Sequence, residues 1–156
     1  MLYLSLQNRL KEQHLAIEEV IRNTEASRLS LVPSPGKWSA KDNIVHLAKY
    51  QPVFIERINT ILKTDLPSFE RYLAENDPEF ERWRVMDIKD LLERMKADRQ
   101  LLFNLIISLS DKDLQRVGKH PKFGMLTITQ WTEFFVLHEA HHIFTIFQLT
   151  NDIQLK

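Results

Sequence analysis

Apolar residues recur three and four positions apart in four stretches of the chain, which predicts four amphipathic helices. The predicted helices cover about residues 3–27, 40–63, 87–109 and 127–151. No stretch alternates apolar and polar residues as a strand would. We therefore predict an all-α fold, a four-helix bundle that occupies residues 1–156 as a single domain.

Turn-forming residues mark the ends of these helices. Two prolines and a glycine in Val32–Trp38 end the first helix. Pro52 falls inside the second helix and predicts a kink there, because proline cannot donate a backbone hydrogen bond. Side chains that can accept hydrogen bonds from the first turn are expected at three helix starts, namely Ser39, Asp87 and either Thr127 or Thr129.

Two long segments lie between the predicted helices. Thr64–Met86 is mostly polar but contains four aromatic residues. A connection of this length is expected to cross the bundle, cover an end of it or form part of a pocket. Short helical turns are expected within it, with Phe69–Glu75 as the best candidate. Arg116–Met125 contains two glycines and a proline, which predict a loop.

A few polar residues fall close to the apolar stripes of the helices. His14 lies near the stripe of the first helix, and we interpret it as a partly buried histidine rather than a metal ligand. Asp98 and Arg99 lie near the stripe of the third helix. We expect both of them at the edge of that stripe rather than in its centre.

The composition narrows the range of functions. The chain contains no cysteine, which excludes disulfides, thiolate metal ligands and a cysteine nucleophile. Its 21 basic and 21 acidic residues cancel, so charge gives no reason to expect binding to nucleic acid or to an anionic membrane. The sequence shows neither a signal-peptide pattern nor an apolar run of the roughly 20 residues that a membrane span needs. We expect a soluble cytoplasmic protein.

The most apolar stretch, Trp131–Leu149, contains three of the six histidines. At about 100° per residue, His138 and His142 lie one turn apart on one helix face, with His141 beside them. Neutral imidazoles spaced in this way are a ready pair of metal ligands. His46 on the second helix is the best third ligand, because a bundle can bring inward-facing residues of two helices together.

Two other interpretations of these histidines compete with a metal site of this kind. The run HEAHH at residues 138–142 matches the H-E-x-x-H motif of zinc peptidases. Such enzymes usually take a third ligand downstream, and here Asp152 is the one candidate among the fourteen residues that follow. We therefore disfavour a peptidase. The histidines could also merely fill the core, but an i, i+4 pair with a further histidine favours a metal.

Three histidine ligands leave coordination positions open for water and substrate. This pattern is typical of a catalytic metal site rather than a structural one. Imidazole suits zinc and nickel, and iron is a third candidate. The sequence does not choose among these metals.

Two segments together resemble a known family. PGKWSAKDNIVHLAKY, in which His46 follows Trp38 and Ser39, resembles the W-S-x-x-(D/E)-x-x-x-H-L signature of the DinB-like superfamily. HEAHHIFTIFQL resembles its C-terminal H-x-x-x-H helix, and GMLTITQW the family's approach to that helix. The resemblance implies a four-helix bundle in up-down-down-up order, with a long crossover between helices 2 and 3. It also implies a metal triad of His46, His138 and His142.

The resemblance also suggests what the protein does. Known activities of the family include thiol-cofactor transferases and a thiol-dependent isomerase, some members are labelled metal-dependent hydrolases, and members are often homodimers. We therefore expect a metal-dependent enzyme, hydrolase-like or a thiol S-transferase, that acts on a small-molecule substrate or a low-molecular-weight thiol. Tyr50, Glu139 and His141 are candidates for proton transfer. The alternatives are a non-catalytic stress-response module that binds metal or a small ligand, and a purely structural bundle.

Overall fold

Helices make up most of the computed structural model, which describes residues 1–151. The first predicted helix is present in pieces rather than as one rod. It consists of α1 (Leu4–Glu12), a 3₁₀ turn (Gln13–Leu15) and α2 (Ala16–Ile21), followed by the short α3 (Ala26–Leu29). The predicted end near residue 27 was too late, because the chain turns at residues 22–24, where Asn and Thr favour turns over helix.

The other three predicted helices are long and continuous. They are α4 (Ala40–Lys63), α6 (Ile88–Ile107) and α8 (Ile128–Thr150), and the shorter α5 (Pro78–Arg84) and α7 (Asp111–Leu114) lie between them. The helix α4 continues through Pro52 without interruption. Together with the first helical region, these elements form the four-helix bundle that the periodicity predicts.

The helix starts follow the predicted capping chemistry. The Ser39 hydroxyl accepts a hydrogen bond from the Asp42 N–H, and the Asp42 carboxylate accepts one from the Ser39 N–H in return. Of the two threonines considered for the last helix, Thr127 is the cap, and it forms the same reciprocal pair with Gln130. Asp87 occupies the predicted cap position of α6, but its side chain makes no capping hydrogen bond.

A small β-hairpin replaces the loop predicted for Arg116–Met125. Strand β1 (Val117–His120) pairs antiparallel with β2 (Gly124–Thr127), so the expectation of a fold without strands was wrong. Four-residue strands are too short to show alternation in the sequence. Glycine fits at position 118 because β1 packs closely on α4 there, and an added Cβ would lie 2.8 Å from the Ile61 side chain.

The segment between α4 and α6 is mostly extended where it meets this hairpin. Ser68 forms a parallel bridge with Lys119, and the Phe69 N–H donates to the Lys119 carbonyl at 3.1 Å. The helical turn predicted for Phe69–Glu75 was therefore misplaced, because pairing with the hairpin holds its first residues extended. The helical turns of this segment are a 3₁₀ turn at Ala74–Asn76 and α5.

The core lies where α4 packs between α6 and α8. One half of it centres on Phe54, Trp131 and Phe135, and the other on buried aliphatic side chains that include Ile44 and Leu91.

The position of Arg99 differs from the one that the sequence predicts. Arg99 was expected at the edge of the α6 stripe, but its side chain is only 1% exposed and lies in the centre. That expectation was wrong because a carboxylate partner on α8 compensates its charge.

Within residues 1–151, no helix is both long and apolar enough to cross a membrane.

Candidate metal centre

Three histidines from α4 and α8 meet between the two helices. The Nε2 atom of His138 lies 3.2 Å from Nε2 of His46 and 3.2 Å from Nε2 of His142. The candidate ligand atoms of the three side chains all lie within 4.8 Å of one another. Within residues 1–151, this is the one group of three or more His, Asp or Glu side chains that could hold a metal ion.

The spacing of the three nitrogens fits a divalent cation. With metal–nitrogen distances of about 2.0–2.1 Å, two ligands of a tetrahedral ion lie about 3.4 Å apart. Hydrogen bonds alone cannot pair all three Nε2 atoms well. Nε2 of His138 faces the ring nitrogens of His46 and His142, but it carries at most one proton. A cation would accept the lone pairs of all three nitrogens at once.

Asn43 fixes the orientation of one of these rings. Its amide nitrogen donates to the Ser39 carbonyl at 2.8 Å, so its Oδ1 atom faces His142 and accepts from Nδ1 at 2.7 Å. The proton on Nδ1 leaves Nε2 of His142 with a free lone pair, as a metal ligand requires. The Nδ1 atoms of His46 and His138 are buried and have no hydrogen-bond partner within the described residues.

Burial keeps the three imidazoles neutral. It lowers the pKa of His46 to about 3, with a further contribution from His138. It lowers the pKa of His138 to about 4 and that of His142 to about 2, with neighbouring histidines adding to both effects. The neutral form is the one that binds metal, so protonation would not prevent the three histidines from holding a cation at neutral pH.

The cluster forms part of the wall of a cavity of about 680 Å³. The ring of Trp38 lies 5.0 Å from that of His46, and the ring of Tyr72 lies 5.7 Å from it. Residues 71–75, from the segment between α4 and α6, line the same cavity. Of the three roles expected for that long segment, forming part of a pocket is therefore confirmed.

Tyr50 lies against the cluster on its α4 side. Its ring centroid is 4.9 Å from that of His138, and its hydroxyl accepts a hydrogen bond from Arg57 Nη1 at 2.8 Å. Burial raises the pKa of Tyr50, and the positive charge of Arg57 offsets only part of this rise. Of the proton-transfer candidates in the sequence, Tyr50 is therefore the one in contact with both the histidines and a charged group.

The other candidate residues lie further from the cluster. His141 is exposed and lines the cavity, with its ring 5.4 Å from that of His142. Glu139 does not face the cavity, because its carboxylate turns into the core and binds Arg99. Asp152, the downstream candidate of the peptidase interpretation, lies outside the described residues.

His14 is separate from the cluster, as the sequence indicates. It is buried against Arg99, with its Nδ1 atom 3.5 Å from Arg99 Nη1. Burial lowers the pKa of His14 to about 4, and the charges of Arg99 and Lys96 contribute. His14 therefore belongs to the polar core around Arg99 rather than to the cavity.

Two residues of the cavity were missed in the sequence. Arg57 falls among the apolar positions of α4 between Phe54 and Ile61, and a charge in such a stripe was the signal available. His120 lies in the hairpin and has no spacing that marks it. Its Nδ1 accepts hydrogen bonds from the N–H groups of Lys122 and Phe123, both at 3.1 Å. The neutral ring therefore carries its proton on Nε2.

Comparison with known proteins places this geometry in a wider group. The chain is 24% identical over 155 residues to YuaE, an uncharacterized protein of Bacillus subtilis strain 168, with 92% of this chain and 96% of YuaE covered. Its fold is similar to that of YfiT from Bacillus subtilis, with a TM-score of 0.83, 21% identity and coverage of 95% of this chain and 85% of YfiT. YfiT is described as a probable metal-dependent hydrolase with an unusual four-helix bundle topology.

A second solved structure and a family model point the same way. The fold is also similar to YjoA, a DinB-like protein of Bacillus subtilis, with a TM-score of 0.63, 14% identity and coverage of 95% of this chain and 90% of YjoA. The family model of the DinB superfamily matches residues 9–146, which include all three histidines of the cluster. A match over that much of the sequence shows that the chain belongs to the DinB superfamily.

Proposed function

We propose that the protein is a metal-dependent enzyme and that hydrolysis is its reaction. The observation that carries the proposal is the convergence of three Nε2 atoms, from His46, His138 and His142, at the wall of a large cavity. Three protein ligands leave room for water or substrate beside the ion. The description of YfiT as a probable metal-dependent hydrolase supports the same reaction class.

Each part of the cavity has a role in this proposal. The three imidazoles hold the cation, and Asn43 keeps the His142 ring in its binding orientation. A bound divalent cation would supply Lewis acidity, which lowers the pKa of water or of a thiol. The Tyr50 hydroxyl, held by Arg57, is positioned to hold or pass a proton beside His138.

Two other functions are consistent with the same site. A thiol S-transferase would use the cation to hold a low-molecular-weight thiol, which the chain cannot supply because it has no cysteine. The second function is that of a non-catalytic module that binds metal or a small ligand and has a role in a stress response. The residues that line the cavity favour this module in one respect, because they offer few groups that could act as a general base. Among the described residues, Glu75 is the one carboxylate that lines the cavity, and it lies on the segment between α4 and α6.

We extend the proposal to further features of the protein. The family resemblance implies the up-down-down-up order of the four helices and a homodimer. Imidazole ligands favour zinc or nickel as the metal, with iron as a third candidate, and the sequence pattern favours a cytoplasmic location. Light scattering coupled to size exclusion tests the dimer. A mass of twice that of one chain is expected, and a mass of one chain would contradict it.

An assay with chelation and re-addition of metal tests the proposed reaction. Hydrolysis of a panel of chromogenic esters and amides is expected to stop after treatment with a chelator and to return with zinc, nickel or ferrous iron. His138→Ala is expected to stay inactive when metal is added. Consumption of a low-molecular-weight thiol with an electrophile, without any hydrolysis, would favour the transferase. Metal binding with neither reaction would favour the binding module.

A further inference from the structure

Arg57 is a buried cation at the wall of the cavity, and the residues that the structure describes give it no anionic partner. Its side chain is 8% exposed. Its Nη1 atom donates to the Tyr50 hydroxyl at 2.8 Å and its Nη2 atom to the Glu70 carbonyl at 2.7 Å. Neither acceptor carries a charge, and within residues 1–151 no carboxylate forms an ion pair with Arg57. Buried arginines are normally paired, so this one is unusual.

Aromatic rings surround the guanidinium without neutralising it. Its central carbon lies 5.6 Å from the ring centroid of Tyr50 and 5.7 Å from those of Phe69 and Trp131. Ring faces stabilise a cation and hold its plane in place, but they leave its net charge unchanged. A guanidinium has five N–H donors, and the two hydrogen bonds to Tyr50 and Glu70 use two of them. Donors therefore remain for a ligand in the cavity that Arg57 lines.

A second donor stands near this arginine. The His120 ring packs 5.0 Å from the same Trp131 ring and lines the same cavity. Both acceptor contacts of His120 fall on Nδ1, so its Nε2–H is left to donate. Arg71 and Lys122 also line the cavity, and Glu75 is the one carboxylate that the described part of the chain places there. The cavity therefore combines aromatic walls, a positive charge and N–H donors, which suits an oxyanion on an apolar body.

We propose that Arg57 anchors the oxyanion group, a carboxylate or a phosphate, of a small substrate with an aromatic or apolar body. The substrate class rests on the proposed function, since the rest of the molecule would extend towards the three histidines. The anion site itself needs no metal. Arg57 provides the countercharge, Nε2–H of His120 adds a hydrogen bond, and Trp38, Tyr72 and Phe134 enclose the apolar body.

Binding of three matched probes to the chelator-treated protein tests the anion site apart from the metal. Phenylacetate and phenyl phosphate carry an oxyanion, and phenylacetamide is the neutral counterpart of the first. Titration followed by NMR is expected to show that at least one of the two anions binds about tenfold more tightly than the amide, or better. The tighter of the two anions identifies the group as carboxylate or phosphate, and a preference for either one supports the proposal. The proposal would be overturned if neither phenylacetate nor phenyl phosphate bound more tightly than phenylacetamide.

Two arginine variants locate the preference. Arg57→Met is expected to abolish the tenfold preference while amide binding changes little. Arg71→Met is the matched control, because Arg71 is an exposed arginine that lines the same cavity. It is expected to reduce the preference by less than about threefold, since water and salt screen an exposed charge. A preference that survives in Arg57→Met but is lost in Arg71→Met would overturn the assignment.

Should Arg57→Met fail to fold, Arg57→Lys keeps the charge and is expected to weaken anion binding while retaining the order of the three probes.

Metal analysis of the same samples separates this inference from the proposed function. Protein that prefers anions through Arg57 but binds no metal would support the anion site and refute the metal-dependent enzyme. Protein that binds metal at the three histidines but binds neither anion more tightly than phenylacetamide would refute the anion site and leave the enzyme proposal standing.

Discussion

Two buried polar clusters lie against α8, and they differ in how completely their charges are paired. In the core cluster, Arg99 donates to both carboxylate oxygens of Glu139, to Gln51 and to the Leu10 carbonyl, and Gln13 also donates to Glu139. In the cavity cluster, Arg57 has no carboxylate partner within the described residues, and three histidine nitrogens face one another. The core cluster is electrostatically complete, whereas the cavity cluster requires something from outside.

The difference separates structural from functional polar residues. Arg99 and Glu139 are each 1% exposed, so both charges have lost their hydration and each depends on the other. Among residues 1–151, the cavity cluster keeps a cation without an anionic partner and ring nitrogens without hydrogen bonds beside open space, an arrangement that costs stability unless a ligand binds. His138 and Glu139 are neighbours on α8, yet His138 belongs to the functional cavity cluster and Glu139 to the structural core cluster.

Replacing each buried arginine by methionine compares the two clusters directly. Arg99→Met leaves the Glu139 carboxylate buried without its partner and is expected to lower the free energy of unfolding by about 3–5 kcal/mol. Arg57→Met removes an unpaired charge and two hydrogen bonds to neutral groups, so a loss below about 1.5 kcal/mol is expected. Urea unfolding of both variants at one pH measures the contrast, and equal losses would contradict it.

A double variant checks the cause of the larger loss. Arg99→Met combined with Glu139→Leu removes both charges of the core cluster together. Because no buried charge is then left unpaired, the double variant is expected to recover most of the stability that Arg99→Met loses. A double variant less stable than Arg99→Met would show that shape rather than charge compensation explains the effect.

Asn43→Ala tests how the protein orients the cavity histidines. The variant removes the acceptor of the His142 Nδ1 proton and is expected to weaken metal affinity by about 10–100-fold, or about 1.4–2.7 kcal/mol. Competition with a chromophoric chelator measures the affinity. Unchanged affinity would show that packing alone orients the His142 ring.

His14→Gln tests the pH dependence of the core cluster. Because burial lowers the pKa of His14 from 6.5 to about 4, the unfolded protein binds its proton first as the pH falls. The stability that the neutral ring contributes is complete above pH 6.5 and declines between pH 6.5 and about 4, by at most about 1.4 kcal/mol per pH unit. Unfolding of metal-loaded wild type and His14→Gln at pH 7.5 and 5 measures it. The variant is expected to lose less stability at pH 5, and identical pH slopes would exclude this role.

The parts of the fold that follow from local chemistry could be predicted from the sequence. Periodicity predicts the long helices, and Ser39 and Thr127 predict their starts, because a cap acts within one turn. The i, i+4 spacing places His138 and His142 on one face for the same local reason. Bringing His46 to them depends on tertiary packing, and the sequence supported it through the place of His46 on a predicted bundle helix and through the resemblance to a family.

The remaining features depend on contacts between distant parts of the chain. The hairpin is stabilised by pairing with residues 67–69, and its own strands are too short to be recognised. Arg99 could not be placed in the core without knowing that Glu139 reaches it from another helix. Arg57 and His120 acquire their positions in the cavity only when α4, the hairpin and α8 come together.

The central claim is that His46, His138 and His142 form one metal site and that His141 does not belong to it. The most direct measurement is elemental analysis of protein loaded with zinc and desalted, for wild type, His138→Ala and His141→Ala. About one ion per chain is expected in wild type and in His141→Ala, and almost none in His138→Ala. Wild type without bound metal, or His138→Ala that retains a full equivalent, would contradict the claim.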